Sequence, residues 1–166
     1  MASINQPFNF EGMVVTPYHL LSPEKLLTVL SIRNHDRVRI WMDNQSPIEA
    51  DEHMKFVREI SHRDDCAYFA VESNGVIIGA VYLTSINIVG STAELGLFRD
   101  PAIKMRGVGS ALLRIVESLA TRVGFRVLTL RVRCDNERAV ALYRKAGYVQ
   151  ESGSDTYYQM IKRLRQ

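Results

Sequence analysis

The sequence predicts a mixed α/β sandwich around one sheet, and three observations carry that prediction. Residues 68–71, 76–84, 93–98 and 128–132 are runs of strand-forming, alternating character. Helical stripes stand before these runs and between them. No internal repeat, low-complexity tract or Gly/Ser-rich linker divides the chain, so residues 1–166 are expected to form one domain.

Residues 12–17 read as a short strand. Ser22-Pro23 then reads as a helix start, because proline suits the first helical position. Leu26, Leu27 and Leu30 form that helix's apolar stripe, and Arg33 falls at its end on the same side as Leu26 and Leu30. A second helical piece runs through Val38, Trp41 and Met42. Residues 48–61 make a third helix, with His53, Phe56, Val57 and Ile60 on one face.

The pattern then changes to strands. Residues 68–71 and 76–84 are joined by Ser73-Asn74-Gly75, a hairpin signal. Residues 93–98 alternate Ala93, Leu95 and Leu97 against Glu94, Gly96 and Phe98, and Pro101 ends the strand. Val108, Leu112, Ile115, Leu119 and Val123 are a helical stripe. Leu128, Leu130 and Val132 alternate with Thr129, Arg131 and Arg133. Residues 136–146 form a helix capped by Gly147, and residues 148–150 and 157–161 close the chain as strands. A strand on each side of the glycine-started helix suggests a parallel pair there.

Composition narrows the function classes. A hydrophobic fraction of 46% and a charged fraction of 23% are those of an ordinary folded domain. No apolar run approaches the roughly 20 residues of a membrane span. Residues 1–10 lack a basic segment followed by an apolar one, so no secretory signal is expected. Two cysteines, Cys66 and Cys134, neither make a metal site alone nor suggest a disulfide framework. They are expected to behave as small buried hydrophobes in a cytoplasmic protein. The net charge of +3 mildly favours an anionic ligand, and no basic run is interleaved with aromatics as in single-strand nucleic-acid binders. Neither nucleic acid nor membrane is an expected partner.

The run Lys104-Met105-Arg106-Gly107-Val108-Gly109-Ser110 opens the most regular helix. Glycines let a ligand approach the backbone, and the N–H groups at a helix start can hold phosphate oxygens. The run lacks the Gly-Lys-Ser/Thr ending of a P-loop, and Leu112 stands where a dinucleotide fingerprint needs its third glycine. On its own it also fits a helix start whose glycines merely ease a turn.

Residues 134–149 read C-D-N-E-R-A-V-A-L-Y-R-K-A-G-Y-V. Together the two runs resemble the GNAT superfamily of acetyl-CoA-dependent N-acetyltransferases. The family's glycine signature falls on Lys104, Gly107 and Gly109, with Lys104 departing from the usual Gln or Arg. Its later signature falls on Asn136, Ala139, Leu142, Tyr143, Gly147 and Tyr148 without a gap. The likeness covers roughly residues 66–163. It implies a GNAT-type fold: one mixed, mostly antiparallel sheet flanked by helices, with a splayed parallel strand pair. The N-terminal half, with Arg33-Asn34-His35, Trp41-Met42 and His53, is similar to the bacterial nucleotide-amino-sugar N-acetyltransferases of pseudaminic acid synthesis, which acetylate the 4-amino group of a UDP-linked sugar.

The resemblance assigns roles. Acetyl-CoA would be held by the turn over Lys104, Met105, Arg106, Gly107, Val108, Gly109 and Ser110, by Asn136 and Ala139, and by Leu97-Phe98-Arg99 as a false neighbouring strand for the pantetheine arm. Tyr143 would be the general acid. A phenol near about pKa 10 protonates a thiolate of conjugate acid about 8.5 only uphill, so its hydrogen bond to sulfur can matter more than full transfer. Tyr143 also lies on the stripe Ala139, Leu142, Ala146, where packing alone would explain it.

The base is open. Arg131 occupies the position of a family glutamate, and a guanidinium takes no proton. It is free to contact cofactor or acceptor phosphate instead. Glu94 is the nearest substitute; the alternative is a strand carboxylate paired with an arginine, or a water chain. Arg33, His53, Thr84 and Phe98 would hold the acceptor, although a capping arginine and a core histidine fit the first two equally well. The expected reaction is direct attack of a primary amine, preferably on a UDP-linked amino sugar, in a ternary complex. The alternatives are a protein N-terminal or small-molecule amine acetyltransferase, and a non-catalytic acyl-CoA-binding module. A homodimer is compatible with this reading.

Overall fold

The computed structural model describes residues 4–165. Of the polar N-terminal stretch, residues 1–3 lie outside the described residues, as does Gln166. The chain begins with a hairpin of β1 (Phe8–Phe10) and β2 (Met13–Pro17). The first of these has no counterpart in the sequence reading. Glu11 and Gly12 turn it with φ of 50° and 82°, the two-residue geometry that matches strand twist. Helix α1 (Pro23–Asn34) starts with the Ser22 side chain accepting the Lys25 N–H and with proline at its first position. It buries Leu26, Val29, Leu30 and Ile32, whereas Leu27 faces solvent, so the expected stripe is wrong at that residue. Helix α2 (Asp36–Arg39) is one turn long and stops before Trp41 and Met42, which lie in the following turn rather than on a helix. Helix α3 (Ala50–Ile60) follows.

Strands β3 (Ala67–Ser73) and β4 (Val76–Asn87) form the expected hairpin, with Asn74 and Gly75 at φ 49° and 78°. Then come β5 (Thr92–Arg99), α4 (Val108–Val123), β6 (Val127–Arg133), α5 (Glu137–Lys145), β7 (Val149–Gly153) and β8 (Tyr157–Arg163). The sheet order is β1-β2-β3-β4-β5-β6-β8-β7. Every neighbouring pair is antiparallel except β5 and β6, which run parallel only from Thr92 opposite Val127 to Glu94 opposite Thr129. Beyond that point the two strands part. The sheet therefore splits into a β1–β5 half and a β6–β8–β7 half.

Side-chain alternation gives each face its own core. On one face Leu83, Leu95, Leu128, Leu130 and Met160 pack against Val108, Leu112, Ile115, Val116 and Leu119 of α4. On the other, Ala70, Ala80 and Phe98 pack against Leu26, Val29 and Ile32 of α1 and Val57 and Ile60 of α3. Lys25 of α1 also reaches the buried Glu72 of β3 at 2.7 Å, which fastens the helix to the sheet. Cys66 is buried as expected. Cys134 is only partly so, and its thiol reaches the Ser154 carbonyl at 3.6 Å.

Candidate active site

The parting of β5 from β6 opens a cleft of about 790 Å³ that passes from α4 and α5 on one side of the sheet to the loop after α2 on the other. At its α4 end, Gly107 takes the left-handed φ of 77° as N-cap. The helix's first bond runs from the Ala111 N–H to the Gly107 carbonyl at 2.9 Å. The N–H groups of Val108, Gly109 and Ser110 thus stand outside the helical ladder, at the positive end of a sixteen-residue helix. Gly107, Gly109 and Ser110 line the cleft. Arg99 fixes the preceding loop by donating from its guanidinium to the carbonyls of Ile103 and, at 3.5 Å, Met105.

The remaining residues expected in that turn contribute differently. Lys104, Met105 and Arg106 are exposed and do not line the cleft, and the Val108 side chain is wholly buried in the core. What Val108 can offer a ligand is its backbone N–H, which stands outside the helical ladder. An anion with several oxygens fits this end, where unpaired amides and the helix dipole act together.

Helix α5 begins at Asn136, whose side chain accepts the Ala139 N–H at 3.3 Å. Its cleft-lining residues are Arg138, Ala139, Leu142 and Tyr143, with Asn136 at the cap. Tyr143 is only 7% exposed and meets the Tyr148 ring edge-on at 5.9 Å. Burial, with a smaller effect from Tyr82, pushes the Tyr143 phenol well above its ordinary range. It stays protonated at any ordinary pH and is a donor.

Past the split, register places one row of side chains on the α1–α3 face. Thr84 and Tyr82 of β4 stand opposite Glu94 and Gly96 of β5, and Glu94 stands opposite Thr129 of β6, whose next residues on that face are Arg131 and Arg133. Glu94 makes no ion pair among the described residues. Thr84 donates to the Glu94 backbone carbonyl at 3.5 Å, and Phe98 lines the same wall beside Leu97. Arg131 pairs with Asp43, which follows α2, and its guanidinium lies over the Tyr157 ring at 4.5 Å. The Tyr157 hydroxyl reaches the same carboxylate at 3.4 Å.

Arg33 and His53 are not among the residues that line the cleft, unlike Thr84 and Phe98 with which they were grouped. One Arg33 nitrogen donates to the Asn44 carbonyl at 2.9 Å, and the other is buried without a partner. The His53 side chain is 5% exposed, lies edge-on to Tyr18 at 6.2 Å, and leaves Nε2 without a partner. Helical spacing put both side chains on inward faces, and inward here means the α1–α3 core. Burial holds the His53 pKa below its ordinary value, partly offset by a bond to the Leu26 backbone. The unfolded chain then binds the extra proton, so this contribution is complete above about pH 6.5 and is lost as pH falls below it. Thermal melts between about pH 8 and pH 5 should show Tm falling over that window. His53→Phe should flatten the fall; identical slopes would remove His53 as its source.

Tyr82, Asp43, Arg133, Arg138 and Tyr157 line the cleft without having been singled out. For Tyr82 a signal existed: an aromatic on one strand and a lone glycine on the next often mark a ring laid over a backbone. Asp43 carried none, because its pairing with Arg131 joins residues 88 apart.

The model of the acetyltransferase (GNAT) family matches residues 32–148. In sequence the chain is 28% identical over 145 residues to acetyltransferase PseH of Campylobacter jejuni, covering 86% of this chain and 88% of that one. In structure it is similar to spermidine N-acetyltransferase from Vibrio cholerae, solved with CoA and spermine, at TM-score 0.82 and 20% identity over 93% and 97% of the two chains. It is likewise similar to Campylobacter jejuni PseH solved with acetyl coenzyme A, at TM-score 0.74 and 17% identity over 92% and 99%. Both structures share the mixed, mostly antiparallel sheet with its parallel pair. The family match runs from the end of α1 through the Gly147-Tyr148 turn after α5, and the chain accordingly belongs to the acetyltransferase (GNAT) family as an acetyl-CoA-dependent acetyltransferase.

Proposed function

We propose that this protein transfers the acetyl group of acetyl-CoA to the primary amine of a small molecule, by direct attack with both substrates bound. The observation that carries the reading is the continuity of the cleft from the unpaired amides of α4, past Tyr143, to Glu94 on the opposite face. The cofactor supplies an acyl group on a thioester. The backbone N–H groups of Val108, Gly109 and Ser110 would grip its diphosphate. Lys104, Met105 and Arg106 would shape that turn, and Asn136 and Ala139 would form its far wall. The edge of β5 over Leu97, Phe98 and Arg99, unpaired with β6, would take the pantetheine arm and offer an amide to the thioester oxygen. Nitrogen bonds to the acyl carbon and the carbon–sulfur bond breaks. Glu94 would accept the amine's proton, and Tyr143 would donate its hydrogen bond to the departing sulfur.

The acceptor is read as a small molecule for two reasons. Residues 41–43 and Tyr157 narrow the mouth by the bridge through Asp43 and Arg131. The structural likenesses also include enzymes that act on polyamines. A UDP-linked 4-amino sugar is the narrower candidate. The likeness to PseH over 86% of the chain favours it, as do Arg37, Arg131 and Arg133 along the cleft. Against it, the two positions that resemblance pointed to, Arg33 and His53, are not among the residues that line the cleft. A polyamine has Asp43 and Glu94 to meet its ammonium groups. A thiol-release assay offering spermidine, a UDP-linked 4-amino sugar and a free peptide N-terminus separates these. Turnover with either small amine supports the proposal; turnover with the peptide alone would overturn it.

A further inference from the structure

The sheet presents one polar group at the split whose purpose packing does not supply. Tyr82 stands directly opposite Gly96, the second residue of β5 after its pairing with β6 ends. The tyrosine ring leans across that glycine: a Cβ at position 96 would fall 2.1 Å from the ring and 2.4 Å from its hydroxyl oxygen. Any other residue at 96 would expel the ring. The phenol oxygen is thereby set over the first free stretch of β5, where the acyl group would lie.

The ring is held from behind. It stacks on Tyr68 at 5.0 Å and 17°, and Tyr68 in turn meets Phe56 at 5.1 Å and Tyr18 at 5.7 Å. Despite this ordering, the Tyr82 hydroxyl has no hydrogen-bond partner among the described residues. The hydroxyl is not among the buried orphan atoms, so an ordered ring presents it to the open cleft, where a ligand can take it in place of water. The surrounding charges also act on this atom. Burial above all, and the Asp43 and Glu94 carboxylates after it, keep the phenol protonated against the opposing pull of the Arg33 cation. The oxygen is thus a neutral acceptor on the same strand face as the Glu94 carboxylate.

Attack by an amine requires its lone pair to point at the acyl carbon, so its N–H groups must be held from the other side. Resting on the acetyl-transfer reading above, we propose that the Tyr82 hydroxyl contacts the acceptor amine, its oxygen taking one N–H while Glu94 receives the departing proton. Gly96 is the residue that makes room for this contact.

Tyr82→Phe removes the oxygen and keeps the ring and its stack. With an amine the wild-type protein acetylates, the expected result is a fall of about tenfold or more in acceptor kcat/KM, as for a lost hydrogen bond in the reacting complex. The acetyl-CoA KM and the melting temperature should not move. Gly96→Ala should lower acceptor kcat/KM as well, and adding it to Tyr82→Phe should cost less than it does alone, since the oxygen is already gone. A packing role would instead lower the melting temperature and leave the kinetics additive. Wild-type turnover with Tyr82→Phe kinetics unchanged overturns this assignment and leaves acetyl transfer standing. Absence of turnover by folded wild-type protein on every amine overturns both.

Discussion

Tyr143→Phe is expected to lower kcat by about a hundredfold while leaving acetyl-CoA affinity nearly intact. The substitution deletes one oxygen from a ring that is 7% exposed and braced edge-on by Tyr148 at 5.9 Å, so the packing survives. What disappears is a donor that burial keeps protonated. A phenol in that state does not surrender its proton readily to a thiolate. Its contribution is the hydrogen bond that grows as charge collects on sulfur, an interaction stronger in the transition state than before it. The loss should therefore appear in kcat rather than in donor binding. Equal turnover in steady-state thiol release would remove Tyr143 from the chemistry and return it to the core.

Gly107→Val should weaken acetyl-CoA binding by about ten- to a hundredfold and lower the melting temperature. The reason differs from simple obstruction. A Cβ at position 107 would meet nothing within 4 Å, so the pocket has room for it. The difficulty is φ of 77°, a conformation that costs an L-residue roughly 1–2 kcal/mol and a β-branched one more. Relieving that strain turns the following peptide, which carries the Val108 N–H away from its two neighbours. Calorimetric titration with acetyl-CoA measures the effect. Unchanged affinity would mean that the diphosphate is held somewhere other than the start of α4.

These two positions were legible in the sequence because each belongs to a local pattern. Gly107 and Gly109 precede an unbroken helical stripe, and Tyr143 stands seven residues, about two turns, after the Asn136 cap, where the resemblance and not the stripe gave it a role. The same local reading recovered the Asn74-Gly75 hairpin and every strand from β3 onward. It missed β1, whose Glu11-Gly12 turn lacks the asparagine that usually marks such a link. It placed Leu27 in a stripe because α1 is apolar on more than one side, and only packing on β3 and β4 decides which side is inside. Residues whose role depends on a distant partner were out of reach. Nothing near Arg131 points to Asp43, and the lone glycine of β5 hints at a ring laid over it without giving the register that sets Tyr82 opposite. Arg33 and His53 show the limit of periodicity: it turns a side chain toward the sheet, but it cannot distinguish a core from a cleft, and neither residue is among those lining the cleft.

The bridge from Asp43, in the loop after α2, to Arg131 of β6 joins two residues of the cleft lining, and both side chains remain well wetted, at 74% and 45% exposed. A contact of this kind is worth at most about 1 kcal/mol and weakens as counter-ions accumulate. Ionic strength therefore acts on this one contact at the mouth of the cleft, which is strongest in dilute buffer and weakest in concentrated salt. A charged acceptor arriving at the mouth meets the same two groups and competes with each for the other.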